Sequence, residues 1–454
     1  MTNAKKATPA SKGGRVHVVL VPGFAGFDAL GQVEYYAGVT PQFQAWKETG
    51  AKRRERVVLH YFDNFPTAAV RTRAARLRSY LAKRIARGEF QAGDTLALVG
   101  HSTGGLDIRQ LLWDLDSAPE HKYVVDGARS SEPAVSGGDL LGMVRQVVFL
   151  SVPQWGTNIA DWVRTYTLGR EIVVAELRTA IAASQVPFLD KLESWFSGTA
   201  ADATKVNLLY AIEDAVNEAE TRTSDNPTKR AMAQEAASEL ELWLRHMATD
   251  FSAIDDLTAK APKGDCSSPA HFTPEVRARE KENWGNIETQ SYATLGRRPF
   301  QFEPGRPAPR WDLLNPATYP EFTGQEDPNS GTDIVYRTCY RACAGGPFTY
   351  PDGKKGLAPT PFIVASEAQP IELWDNDGIV NTASMLWPNG EETLLVEADH
   401  MDIVGHYKLV KANREERPRK HDAYDLLKSE SGFNDAAFAQ VWNHVFDFCT
   451  EGLA

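Results

Sequence analysis

The sequence predicts an α/β architecture, a mainly parallel sheet flanked by helices and interrupted by a large helical insertion. Three observations carry this expectation. Val-rich runs such as "RVHVVLV" (15–21) barely alternate between apolar and polar, as expected of strands buried on both faces. Segments of helical periodicity fall between such runs, which is the pattern of strand–helix–strand crossovers. Finally, "LALVGHSTGGLDIRQLL" (96–112) passes from an apolar strand to a helix through a turn of glycines, a histidine and a serine.

Taken in order, the first strand (15–21) is followed by a polar and aromatic stretch beginning "PGFAGFDALGQVEYY" and then by a second strand, "RVVLHYF" (56–62). In "TAAVRTRAARLRSYLAKRIARG" (67–88) apolar residues recur at helical spacing among arginines, and Gly88 ends the helix. The strand "DTLALVG" (94–100), the helix "GLDIRQLLWDL" (105–115) and the strand "MVRQVVFLSVP" (143–153) continue the alternation. From about 155 to 285 the pattern is mostly helical and reads as a lid or cap insertion. Strand character returns at "NIETQSYATL" (286–295), and a Pro- and Gly-rich section at about 297–360 reads as a loop-rich insertion. "TPFIVAS", "ETLLVEA" and the amphipathic helix "DAAFAQVWNHVFDFC" (435–449) close the chain. The simplest division is a flexible segment at 1–14 and one domain at 15–454 carrying the two insertions.

Composition narrows the function. The 454 residues are 42% hydrophobic and 24% charged, enough for a sizeable core without extensive disorder. With 49 basic against 60 acidic residues the net charge is −11, so there is no electrostatic footprint for nucleic acid. No stretch approaches the roughly 18 apolar residues of a membrane span. The start, "MTNAKKATPASKGG", lacks the apolar core of a signal peptide, so a cytoplasmic location is expected unless a leader precedes it. Four cysteines (266, 339, 343 and 449) are too few for a disulfide scaffold. "CYRAC" (339–343) allows free thiols or one local bridge, and no further ligands stand at a metal-binding offset.

Gly100-His101-Ser102-Thr103-Gly104 fits G-x-S-x-G with a strand before it and a helix after it, the context of a nucleophile elbow. Small residues flanking the serine relieve the sharp turn, and the helix N-terminus faces any negative charge that develops there. The alternative is that Ser102 only caps the helix. A nucleophilic serine needs a base and an orienting acid, in the chain order Ser, acid, His. His400 follows the strand-like "ETLLVEA" and has the best position; His406 and His421 are weaker candidates. The tight turn "WDNDGIVN" (374–381) offers Asp375 and Asp377 as acid.

Together "GHSTGG", "DNDGIVNTASM" and "DHMDIVG" resemble the bacterial true lipases of the thermoalkalophilic and staphylococcal group, α/β-hydrolases acting on acylglycerols. "VPGFAGF" stands at the place of that family's His-Gly-Phe oxyanion loop, and "VPQWGT" resembles its Pro-x-x-Gly-Thr turn. The resemblance spans about the first 160 residues and about 360–410. It implies Ser102 as nucleophile, Asp377 as acid, His400 as base, and the backbone N–H groups of Phe24 and Thr103 as the oxyanion hole. Pro22 replaces the family's loop histidine, which should not disturb a hole built of backbone amides. Of the family's two acidic calcium ligands, Asp402 fills the first place but Tyr407 occupies the second. The zinc-bearing insertion has no convincing counterpart, so neither metal nor cofactor is expected.

"QVPFLDKLESWFSG" (185–198) and "LELWLRHMATDF" (240–251) are apolar on one face, as lid helices that meet oily substrates would be. These observations predict a hydrolase of hydrophobic or bulky carboxylic esters, with interfacial contact through the lid. A polyester depolymerase, an acyltransferase and a non-enzymatic binder on the same scaffold are the competing readings.

Overall fold

The computed structural model describes residues 14–24, 29–30, 33–50, 52–123, 134–165, 252–259, 268–299, 334–345, 348–350, 357–364, 371–408 and 425–452. Its centre is a sheet of seven strands: β1 (Val16–Val21), β2 (Val57–Tyr61), β3 (Thr95–His101), β4 (Val144–Leu150), β5 (Glu288–Leu295), β6 (Thr360–Ile363) and β7 (Thr393–Glu397). They lie in the order β6-β7-β5-β4-β3-β1-β2, and every neighbouring pair is parallel. Helices α1 (Val39–Glu48), α2 (Val70–Ala86), α3 (Thr103–Ser117), α4 (Asn158–Thr165), α5 (Pro274–Asn283), α6 (Ile334–Ala344) and α7 (Asp435–Cys449) surround it.

The central strands are unbroken apolar runs because both faces are covered. Along β1, Val19 and Val21 pack with Leu77, Leu81, Leu106 and Leu111 of α2 and α3. The intervening Val18 and Leu20 face the other way, into Val441, Trp442, Val445 and Phe446 of α7. Side chains alternate across a strand, so one Val-rich strand feeds both cores. All of β1 and β3 is buried, whereas the edge strand β2 is mostly half-buried.

Helix α7 begins where the Asn434 side chain accepts the N–H groups of Ala436 and Ala437, a side-chain N-cap. Its buried positions, 437, 438, 441, 442, 445, 446 and 449, form one apolar stripe. Trp442 is fully buried and its indole N–H donates to the Ile403 carbonyl at 2.9 Å, so α7 also braces the turn after β7. Truncating such a tryptophan to alanine costs about 3–5 kcal/mol.

In register, Val21 of β1 stands beside Gly100 of β3, His101 beside Leu150 of β4, and Leu295 of β5 beside Glu397 of β7. The carboxyl ends of the five central strands therefore open onto one rim, where open α/β sheets place their sites. A parallel sheet of this order, helix-covered on both faces and turning sharply into α3 at Ser102, is the α/β-hydrolase fold.

One sequence expectation is refined. The section at 297–360 is not loop throughout: 334–344 forms α6, whose Tyr336, Tyr340 and Ala344 share one buried face at intervals of four. Proline and glycine on either side mask this short amphipathic run. Cys339 and Cys343 sit on that helix as free thiols, and the Cys343 Sγ approaches the Ile379 carbonyl at 3.1 Å. The stretches read as lid helices, 185–198 and 240–251, and the weaker base candidate His421 lie outside the described residues.

Candidate active site

Ser102 has φ 53° and ψ −130°, a region that non-glycine residues rarely adopt. The chain holds it there because two glycines permit close packing around it. A Cβ on Gly100 would lie 2.6 Å from the Gly105 Cα, and one on Gly104 only 2.3 Å from the Val21 carbonyl oxygen. Helix α3 can thus start directly over the ends of β1 and β3. The Ser102 N–H donates to the Leu150 carbonyl at 2.9 Å, and its side chain makes no capping bond to α3. Thr103 is the first residue of α3, so its N–H has no intrahelical partner.

Asp377 sits in the turn before Gly378, whose φ of 95° suits glycine. It is fully buried, and four donors converge on its carboxylate. Oδ1 accepts the N–H groups of Ile379 (3.0 Å) and Val380 (2.8 Å), and Oδ2 accepts His400 Nδ1–H (2.7 Å) and the Thr294 hydroxyl (2.6 Å). A second tie joins the pair, from the His400 N–H to the Asp377 carbonyl at 3.0 Å. With Nδ1 donating to a carboxylate, the neutral His400 ring presents a lone pair at Nε2, as a general base requires. The other acid candidate, Asp375, is engaged elsewhere: Arg298 holds both its oxygens, at 2.7 and 2.6 Å. His406 is also committed, with Nε2 at 3.1 Å from the Tyr35 carbonyl.

Asp377 and His400 are therefore in direct contact, and Ser102 stands on the adjoining turn. The His101 ring lies 4.7 Å from that of His400, centroid to centroid. Among the described residues the Ser102 hydroxyl has no hydrogen bond to His400. Serine–histidine bonds are often long in unliganded hydrolases.

The segment Pro22–Phe24 leaves β1 and lies against Ser102: a Cβ on Gly23 would come within 2.6 Å of Ser102 Cβ. Arg73 of α2 reaches this segment, with Nη2 donating to Pro22 O (2.7 Å) and Gly23 O (3.0 Å). In a trans peptide the C=O and the following N–H point in opposite directions. Holding Gly23 O toward Arg73 therefore turns the Phe24 N–H away from it. Arg73 is fully buried and paired at 2.9 Å with Asp107 of α3, whose carboxyl burial pushes up to about 6 against the pull of that guanidinium.

Beside His400, the carboxylates of Asp399, Asp402 and Asp425 lie within 4.8 Å of one another, all buried. Burial raises Asp399 to about 7, with the nearby Asp425 charge adding to it, and burial and Asp399 raise Asp402. Ser429 and Ser431 donate to Asp399 and Asp402 at 2.7 and 2.6 Å. Hard oxygen donors of this kind suit a calcium-like cation, and Asp402 is the position at which the resemblance places a first ligand. Tyr407, at the second family position, instead donates to Asp435 at 2.6 Å.

Sequence reasoning missed Thr294, Arg73, Asp107 and the participation of Asp399 and Asp425. Only Asp107 left a local signal, a carboxylate set between Leu106 and Ile108 of α3.

No protein-family model matches the chain, and no curated protein matches it. Among solved structures it is similar to EstA from Clostridium botulinum (14% identity, 96% of this chain and 90% of that one, TM-score 0.41) and to the Staphylococcus hyicus lipase (14%, 98% and 97%, 0.45). It is also similar to lipase 1 from Pelosinus fermentans (16%, 86% and 94%, 0.35). At such identities and scores these likenesses carry no argument about activity. Among the described residues no helix is long and apolar enough to cross a membrane.

Proposed function

We propose that this chain is a serine hydrolase of carboxylic esters, with Ser102 as nucleophile, His400 as base and Asp377 as acid. The observation that carries the proposal is the 2.7 Å bond from His400 Nδ1 to a fully buried Asp377, made on the rim where Ser102 holds its strained turn. Such an arrangement fixes the imidazole tautomer and stabilises its positive form. A serine serving only as a helix cap would bond to the α3 backbone through its side chain, and Ser102 does not.

In the proposed reaction His400 Nε2 takes the Ser102 proton as Oγ attacks the substrate carbonyl. The oxyanion falls to the N–H groups of Thr103 and Phe24, the first freed by its place at the helix start and the second turned by Arg73. His400 then returns the proton to the leaving alcohol, giving the acyl-serine. Water, deprotonated by His400, attacks the acyl carbonyl, and collapse of the second tetrahedral adduct releases the acid and restores the serine.

The substrate class proposed is hydrophobic or bulky esters of the lipase and carboxylesterase type, because about 130 residues are inserted after β4, whose carboxyl end lies on the rim. Hydrolysis of p-nitrophenyl esters from acetate to palmitate, wild type beside Ser102→Ala, tests both points. Activity that rises with chain length and vanishes in the variant is expected. A peak at acetate would refute the substrate class, and equal rates for the two proteins would refute Ser102.

A further inference from the structure

Resting on that reading, we propose that Tyr35 and His101 are positioning residues: together they form a buried hydrogen-bond chain that sets the oxyanion loop and the base in one register. The Gly23 N–H donates to Tyr35 Oη at 2.9 Å, Tyr35 Oη lies 2.6 Å from His101 Nδ1, and His101 Nε2 lies 2.9 Å from the His400 carbonyl oxygen.

Chemistry fixes every direction along the chain. A carbonyl only accepts, so His101 carries its proton on Nε2, and Nδ1 is then an acceptor. Tyr35 must donate to that nitrogen, which leaves its oxygen to accept the Gly23 N–H. Each link requires the next, and all four residues are buried, where water offers no substitute. Burial, reinforced by the neighbouring His400, holds His101 below the ordinary histidine range, so the ring stays neutral as this pattern demands.

The chain ties together three parts of the rim that are distant in sequence: the turn after β1, the last residue of β3 and the backbone of the base. Tyr35 is held at its other end as well, its carbonyl accepting from His406 Nε2. In the same region a Cβ on Gly405 would meet the Ala37 oxygen at 1.8 Å, so the loop carrying the base lies directly on the segment carrying Tyr35. Gly23 is clamped from both sides, since Tyr35 takes its N–H while Arg73 takes its carbonyl. Between them they fix the plane of the peptide that carries the Phe24 N–H. Neither Tyr35 nor His101 need touch the substrate. Their effect is to keep the oxyanion donor and the imidazole at a constant separation as charge develops.

The test pairs Tyr35→Phe with His101→Asn. The first removes the hydroxyl and keeps the ring; the second keeps an acceptor near the Nδ1 position and loses the donor to His400. On a p-nitrophenyl ester that the wild type turns over, Tyr35→Phe should lower kcat about 10- to 100-fold with KM within about twofold, as for a hydrogen bond felt in the transition state. Affinity for an alkylboronic acid, whose tetrahedral adduct needs both loop and base, should fall in step with kcat. His101→Asn should shift the acid limb of the kcat/KM profile as well, because it releases the backbone of the base. Should Tyr35→Phe fail to fold, His101→Gln, which keeps a donor near Nε2 but loses the acceptor for Tyr35, should show the same kcat loss without that shift. Variants that melt with the wild type and retain its kcat, boronate affinity and pH profile would overturn the chain while leaving the hydrolase reading intact. A wild type inert on every ester would overturn both.

Discussion

Replacing Asp377 by asparagine should disable the chemistry while sparing the fold, for a reason visible atom by atom. The Oδ1 position faces two backbone donors, from Ile379 and Val380, so the amide NH2 of an asparagine cannot sit there without opposing N–H groups. The amide oxygen therefore takes that place and the NH2 faces His400 and Thr294. The Thr294 hydroxyl can turn and accept, but His400 must then offer a lone pair at Nδ1 and carry its proton on Nε2. A protonated Nε2 cannot take the serine proton. Meanwhile the tie from the His400 N–H to the residue 377 carbonyl survives, so the loop stays in place. The expected loss is about ten-thousand-fold in kcat, the cost of the wrong tautomer in serine hydrolases, or about 5.4 kcal/mol at 1.36 kcal/mol per decade. Initial rates on a p-nitrophenyl ester at pH 7.5, with melting curves alongside, measure both sides. Asp375→Asn is the control: it loosens the Arg298 pair and should lower stability more than kcat. A variant Asp377→Asn that keeps more than a tenth of the wild-type kcat, or a larger kcat loss in Asp375→Asn, would refute the assignment of the acid.

Two further outcomes follow from the same geometry. In Gly104→Ala the new methyl would lie 2.3 Å from Val21 O and 2.7 Å from Pro22 O, both backbone atoms, so it must displace the proposed oxyanion loop. A kcat loss approaching the roughly hundredfold of a lost oxyanion donor is expected, and wild-type turnover would contradict it. At the opposite end of the sheet, Asp94 Oδ2 lies 3.0 Å from His17 Nε2, and His17 Nδ1 lies 2.9 Å from His60 Nε2. Burial holds both histidines below the usual range, His60 at about 4. The unfolded chain takes up these protons near 6.5, so their contribution to stability is complete above that pH and is lost as pH falls toward 4. His60→Gln, which cannot charge, should show a flatter melting temperature between pH 6.5 and 4.5; parallel curves would contradict this.

The strands and the serine turn were legible in the sequence because their causes are local. Doubly covered strands read as Val-rich runs, and the glycines at 100 and 104 answer contacts only a few ångströms from the serine. The pairing of Asp377 with His400 was reachable through chain order and the resemblance, and the structure brings these two side chains together. What stayed hidden is long-range. Thr294 meets Asp377 across 83 residues and Tyr35 meets His101 across 66, and nothing in either neighbourhood announces the partner. Arg73 is one of several arginines in "VRTRAARLR", and only the packed structure shows that it is the one turned inward onto Asp107 and the Pro22–Gly23 carbonyls. Helix α6 was obscured by the Pro- and Gly-rich section in which it lies.

The most direct test of Ser102 as nucleophile is stoichiometric labelling with an alkyl fluorophosphonate, followed by peptide mapping by mass spectrometry. One equivalent on Ser102, absent in Ser102→Ala and greatly slowed in His400→Ala, is the predicted result. A label on another residue, or ester hydrolysis that persists in an unlabelled Ser102→Ala protein, would contradict it.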